Sequence, residues 1–342
     1  MENFTDPDGW VHCYRVQGHK RYRQKPEDAG KEKNLYRITH PGVADPQTLE
    51  QSFADAESRM APTIETIIKT GRLTGAPEEE AVLAAFVAGS AFRVPHAKRL
   101  SEYLADTMAR QVVVGLFEAP DQWRRFQEHC GERGMQVPAD ADQPKYVEMA
   151  RRGDVQLRKY EGWIWDFLTT IATPGALRIL VDFSWRLWSR PDSAAACVVT
   201  SDTPVGLLRI RDRGAGATGT ILIESGVIGN WRLATQISLP LSRAHVLIGN
   251  RRGSPEPGRV AGEVAWLNTI TCWFASTIFA PCQTPRFQLP DGQVTGISHF
   301  ASKLEQFRRY APPAEVLLPP PGRPAPPCRS EPLPAQCGCR VT

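Results

Sequence analysis

The apolar period of this chain changes at Pro191, and nothing else in the sequence constrains the fold as much. Ahead of it, Leu49, Phe53, Ala56, Met60, Ile64, Ile67 and Ile68 recur at spacings of three and four, which predicts a helix over 46–70. Asp45-Pro46 supplies its start and Gly71 its stop, with Pro62 a potential kink. Behind it, the runs 197–199, 205–210, 220–223 and 236–241 are short and β-branched, as strands are. Helices first and strands afterwards predict an α+β fold. The expected arrangement is an N-terminal helical bundle packed on a small, mostly antiparallel sheet from residues 197–250.

A second helical region spans 77–108, opened by Pro77 and the acids Glu78, Glu79 and Glu80. Residues 82–92 are almost wholly apolar, which places this helix in the middle of the core. Pro95 lacks the N–H that would bond back to Ala91, so a break is expected near Phe92, with Arg93 beside it. Shorter helices are expected over 121–131, 145–151 and 155–173. Residues 176–188 fit a helix or a strand equally. Ahead of all these, DPDG at 6–9 is a turn signal and 10–14 alternate as a short strand does. The basic stretch 17–33 reads as a solvated loop, with 35–38 a second short strand. Residues 237–250 resemble two paired strands around Pro240 and Ser242. The glycines of RGAGATG, 213–219, suit a hairpin loop and not a phosphate-binding fingerprint, because no strand–loop–helix order surrounds them.

Residues 265–280 form the most apolar run, but they include Asn268, Thr269, Thr271, Ser276 and Thr277 and fall short of the ~20 residues of a membrane span. A buried helix over 260–280 closing the core is expected, and no membrane partner. Asn268 inside it must find hydrogen-bond partners, either the sheet backbone or a pocket. The tail 311–342 is rich in proline and is expected to be disordered, leaving 1–310 as one domain.

The net charge of +4 demands no nucleic acid, although a local basic patch could still contact one. Eight cysteines without a C-x-x-C pair suit reduced thiols in a cytoplasmic protein. The N-terminus MENFTDPDGW lacks the features of a secretory signal. No H-E-x-x-H, no histidine pair at i, i+4 and no G-x-S-x-G occurs, so the histidines and serines point to no known chemistry.

In CVVTSDTPVGLL, 197–208, a buried strand ends abruptly at Asp202-Thr203-Pro204. Asp202 is expected to accept backbone N–H groups just ahead and fix the turn. Such a carboxylate at the end of a buried strand is also a candidate functional group. Glu50 and Glu57 lie seven apart beside the first helix's apolar stripe, so one of them is expected to be partly buried.

Several segments taken in order, NFTDPDGWVHCYR, LEQSFADAES, AFVAGSAFRVP, VVTSDTPV, ISLPLS and WLNTITCWFASTIF, resemble a bacterial family known as domain of unknown function 4238. The resemblance spans roughly residues 3–282 and implies no activity, cofactor or partner. It also implies a His-x-x-Pro segment and a Leu-Arg ahead of Asn3-Phe4. The sequence opens at Met1-Glu2, so a base or ligand supplied by that histidine would be missing from it.

The candidate site residues are therefore Glu57, Arg93 and Asp202, with Asn268 as a further polar candidate. Glu57–Arg93 is expected to be an ion pair joining the two long helices. One functional expectation makes Glu57 and Asp202 metal or acid–base carboxylates and Arg93 a phosphate contact, as in metal-assisted phosphodiester cleavage. The other is a non-enzymatic binding module in a regulatory or defence system, with Glu57–Arg93 purely structural.

Overall fold

The structure is a computed structural model, and it describes residues 1–31, 47–154, 173–190, 197–211, 220–225, 231–253, 264–289 and 292–310. The expected strand at 35–38, the helix 155–173 except for its last residue, the RGAGATG loop and the tail 311–342 lie outside the described residues.

The chain is α+β. It opens with β1 (Val11–Arg15) and β2 (Lys20–Gln24), an antiparallel pair with Cys13 opposite Tyr22. The basic stretch is thus partly a strand and not a loop, because the turn at 17–19 folds it back onto β1. The DPDG turn before β1 forms around Asp6. Its buried carboxylate accepts the N–H groups of Asp8 and Trp10 and contacts His12 and Arg23, each at 3.0 Å. Burial opposes its ionisation, but the Trp10 N–H, the Arg23 charge, the Asp8 N–H and His12 together outweigh that and hold its pKa below the ordinary carboxylate value.

Three helices follow: α1 (Thr48–Thr70), α2 (Pro77–Phe92) and α3 (Pro95–Glu118). Pro62 lies inside α1 without ending it, and Gly71 caps α1 in the left-handed conformation (φ 65°), its N–H on Ile67 O. The break between α2 and α3 follows the proline argument. Val94 is extended ahead of Pro95, which opens the new helix, and Arg93 is left at the corner. The helix runs on to Glu118, ten residues past the expected end. Next come α4 (Pro120–Glu132) and α5 (Gln143–Arg152), which pack on α3 through Phe117, Trp123, Phe126 and Tyr146. The ambiguous stretch 176–188 is both things in turn: α6 (Thr173–Leu180), then β3 (Phe183–Ser189).

The later strands are β4 (Thr200–Ser201), β5 (Gly206–Arg211), β6 (Thr220–Ser225), β7 (Gln236–Pro240) and β8 (His245–Arg251). Then α7 (Val264–Cys272) is followed by β9 (Thr277–Ala280), β10 (Arg286–Gln288), β11 (Val294–Gly296) and α8 (Ile297–Tyr310). The expected helix over 260–280 therefore stops at Cys272, and Thr277-Ile278-Phe279-Ala280 becomes a strand. Periodicity cannot separate a buried helix from a buried strand in so apolar a run. Nothing in the sequence reading anticipated α8.

The described residues form three sheets, and every strand pairing among them is antiparallel. The largest has the order β3-β8-β7-β5-β6, the second β2-β1-β9-β4, and β10 pairs with β11. Residues 197–250 were expected to form one sheet. In fact β4 leaves that sheet to pair with β9, and β3 joins it from outside the range.

One face of the large sheet, with Ile237, Leu239 and Leu247, packs on Ile64 and Ile67 of α1, Leu83 and Val87 of α2 and Leu180 of α6. The other, with Leu208, Val246 and Ile248, packs on Val264, Leu267 and Ile270 of α7. At the end of α7, Cys272 and the next residue, Trp273, join the core of the second sheet with Ile278, Phe287 and Phe300. All nine residues of α7 are buried, so the mid-core helix is α7. The apolar α2 instead leaves Phe86, Gly89 and Ser90 half-exposed on a cleft.

Contact between β5 and α7 requires Gly206. A Cβ there would lie 2.4 Å from Ile270 Cγ2 and 2.9 Å from the Ile270 carbonyl oxygen. The carbonyl belongs to a buried helix and cannot step aside. Gly206→Ala is expected to cost about 2–3 kcal/mol in urea denaturation; a cost near zero would mean that α7 slides freely over the sheet.

Candidate functional site

The cleft has a volume of about 430 Å³ and lies between α1, the α2–α3 corner and the turn after β4. Glu50, Glu57, Arg93 and Asp202 all line it, with Phe86 and Phe279 among its apolar walls.

Phe53 and Glu57 are one turn apart on α1 and present a ring and a carboxylate to the same neighbour. That neighbour is Arg93, whose Nη1 is 2.8 Å from Glu57 Oε1 and whose Cζ is 4.1 Å from the Phe53 ring centroid. The ion pair expected between the two long helices is present. Its setting differs from the expectation: Arg93 is 18% exposed, but Glu57 is 59% exposed and Glu50 is exposed too. Seven residues of α1 bring both carboxylates to the rim of the cleft and not beneath the apolar stripe. A pair with one partner in water contributes about 1 kcal/mol or less, so it orients Arg93 more than it stabilises the fold.

Asp202 lines the cleft from the turn after β4. Its backbone N–H bonds Thr277 O at 3.1 Å, and its Oδ1 accepts the N–H of Ser276 at 2.9 Å. It therefore does not cap its own turn. Ser201 does, with Oγ accepting the Thr203 N–H at 3.1 Å and donating to Thr271 O at 3.0 Å.

The strand leading to Asp202 is held by Asn268, which is fully buried. Asn268 Oδ1 accepts the Val199 N–H at 3.0 Å, while Nδ2 donates to Cys197 O at 2.9 Å and Arg286 O at 3.0 Å. Of the two roles open to it, Asn268 fills the backbone one and does not line the cleft. Thr269, next in the helix, exchanges two bonds with the backbone of Gln288. A disulfide between Cys197 and Cys282 fixes the same strand. This corrects the expectation of reduced thiols throughout; Cys13, Cys130 and Cys272 are free and buried.

Burial pushes the Cys13 thiol up to about 11, and burial together with the Asp202 charge pushes Cys272 well above its ordinary value. Among the described residues, no group of three or more His, Cys, Asp or Glu side chains could hold a metal ion. Glu50, Glu57 and Asp202 are the carboxylates among the described residues lining the cleft. Lys31 is a second cation lining the cleft, and its place in a basic, polar stretch carries no signal of that in the sequence. Phe279 carries no such signal either, because only its place in a strand turns it toward the cleft.

No helix among the described residues is long and apolar enough to cross a membrane. No curated protein and no solved structure matches the chain. A family model described as "Protein of unknown function (DUF4238)" matches residues 1–298. That match covers most of the chain, including the cleft and both strands that carry Asp202 and its anchor, and the chain belongs to this family.

Proposed function

We propose that the cleft is the active site of a nuclease-like hydrolase acting on phosphodiesters. The observation that carries this reading is the meeting of Glu57, Arg93 and Asp202 on one open cleft, each from a different element. In the proposed reaction, Arg93 and Lys31 receive the phosphate. Glu57 and Asp202 hold a hydrated divalent ion or take the proton of the attacking water. Water oxygen bonds to phosphorus, the ester P–O bond breaks, and the leaving oxygen is protonated. Phe53 and Glu57 keep the guanidinium aimed at the cleft before substrate arrives, which lowers the cost of ordering it.

A second reading has its own support: Arg93 is already engaged by Glu57 and Phe53, as a purely structural pair in a binding module would be. Asp202 separates the two. Hydrolysis of bis(p-nitrophenyl) phosphate and of a labelled single-stranded oligonucleotide is measured with Mg²⁺, with Mn²⁺ and with chelator. Asp202→Asn and Glu57→Gln are each expected to lower the rate about a hundredfold while leaving the unfolding midpoint close to wild type. Full activity in Asp202→Asn, or no turnover by the wild-type chain with either ion, would leave the structural reading standing.

A further inference from the structure

Two adjoining recesses of about 240 and 350 Å³ share Arg21, Gln283, Pro285 and Ile297 and form one groove beside β1, β2 and the start of α8. The groove has no residue in common with the cleft, and no carboxylate lines it. Its cations are Arg21, Arg23 and Arg286, with His12 and His299. Arg23 and His12 are both occupied by Asp6. Arg21 and Arg286 have no carboxylate within ion-pair distance among the described residues.

Basic residues on an edge strand such as β2 commonly serve only to prevent edge-to-edge pairing. Arg21 does more than that. Its guanidinium carbon lies 5.6 Å from the Tyr14 ring centroid, and its Nη2 donates to Ser298 Oγ at 2.5 Å. It is thus laid across the sheet toward the first turn of α8. The backbone of Arg286 is held as well, since β10 pairs with β11 and the Arg286 carbonyl accepts from Asn268 Nδ2, and its side chain is exposed at the groove. The backbone N–H groups of the first turn of α8 add to the positive potential there.

We propose that this groove binds phosphate esters. Two arginines held on rigid elements, a serine hydroxyl and a helix start offer several donors, which suits the three or four acceptor oxygens of a phosphate better than the two of a carboxylate. The ester can belong to a small phosphorylated metabolite or to a nucleic-acid backbone.

The test uses the full chain with ADP, followed by calorimetry, and a fluorescein-labelled single-stranded oligonucleotide, followed by anisotropy. At least one probe is expected to bind, and Arg21→Gln and Arg286→Gln are each expected to weaken it about tenfold. Arg124→Gln, on α4 and lining neither the cleft nor the groove, is expected to leave this binding unchanged. Oligonucleotide binding whose log–log salt slope falls by about one for each arginine removed identifies the backbone as the source. ADP binding without oligonucleotide binding identifies a small ester. Should Arg21→Gln disturb its strand, Arg286→Gln on a separate hairpin carries the same reading. The proposal is overturned if neither probe binds, if both arginine variants bind as wild type does, or if polyglutamate binds as tightly as the phosphate probes.

Discussion

Asn268→Ala is expected to lower the stability of the protein by about 4 kcal/mol, a large fraction of what a domain has. The side chain satisfies one buried N–H and two carbonyls, on Val199, Cys197 and Arg286. Each group left without a partner costs about 1–3 kcal/mol, and the fully buried position offers no easy route for water to replace the amide. Asn268→Asp keeps the acceptor and the shape but loses the donors and buries a charge, so it is expected to be no better tolerated. Urea denaturation followed by circular dichroism measures both. A loss below about 1 kcal/mol for Asn268→Ala would show that the strand ahead of Asp202 is held by something else.

Loss of the Cys197–Cys282 bond is expected to be comparably severe. The cysteines are 85 residues apart, and closing a loop of that length restricts the unfolded chain by about 4–5 kcal/mol. Denaturation of Cys197→Ala/Cys282→Ala, and of the wild-type chain with and without reductant, gives the number. The effect is not expected to add fully to that of Asn268→Ala, because the Cys197 carbonyl is one of the acceptors Asn268 holds. Full additivity would mean that the disulfide and the amide act on independent parts of the fold. An unchanged stability on reduction would contradict the loop argument outright.

These two attachments show where the sequence was legible. The break at Phe92-Arg93 could be read from Pro95 alone, since a missing N–H and a ring clash act within one helical turn. The stop at Gly71 and the β7–β8 hairpin were legible for similar reasons. The requirement that Asn268 find partners was legible too, because an unpaired buried amide is costly wherever it lies. Its actual partners, 69 to 71 residues away and on β10, were not. Nor was the pairing of Cys197 with Cys282, as isolated cysteines carry no spacing signal. The run 265–280 failed for a different reason. Its helix is wholly buried and its strand nearly so, so neither the helical nor the strand period shows, and the switch at residues 273–276 leaves no apolar pattern to read.

The candidate site divides along the same line. The residues alone determined that Arg93 would sit at a helix corner, that Asp202 would end a buried strand and that Glu57 would share a helix side with Glu50. Those are consequences of backbone sterics and of the helical repeat, which operate over a few residues. Only the tertiary structure decided that β4 pairs with β9 and so puts Asp202 on the cleft that Arg93 lines, that Glu57 meets Arg93 from the wetter side, and that Lys31 and Phe279 complete the cleft. Those outcomes depend on how α7 fills the space between two sheets, and the free energy of that packing is spread over side chains far apart in the chain, with no local pattern to announce it.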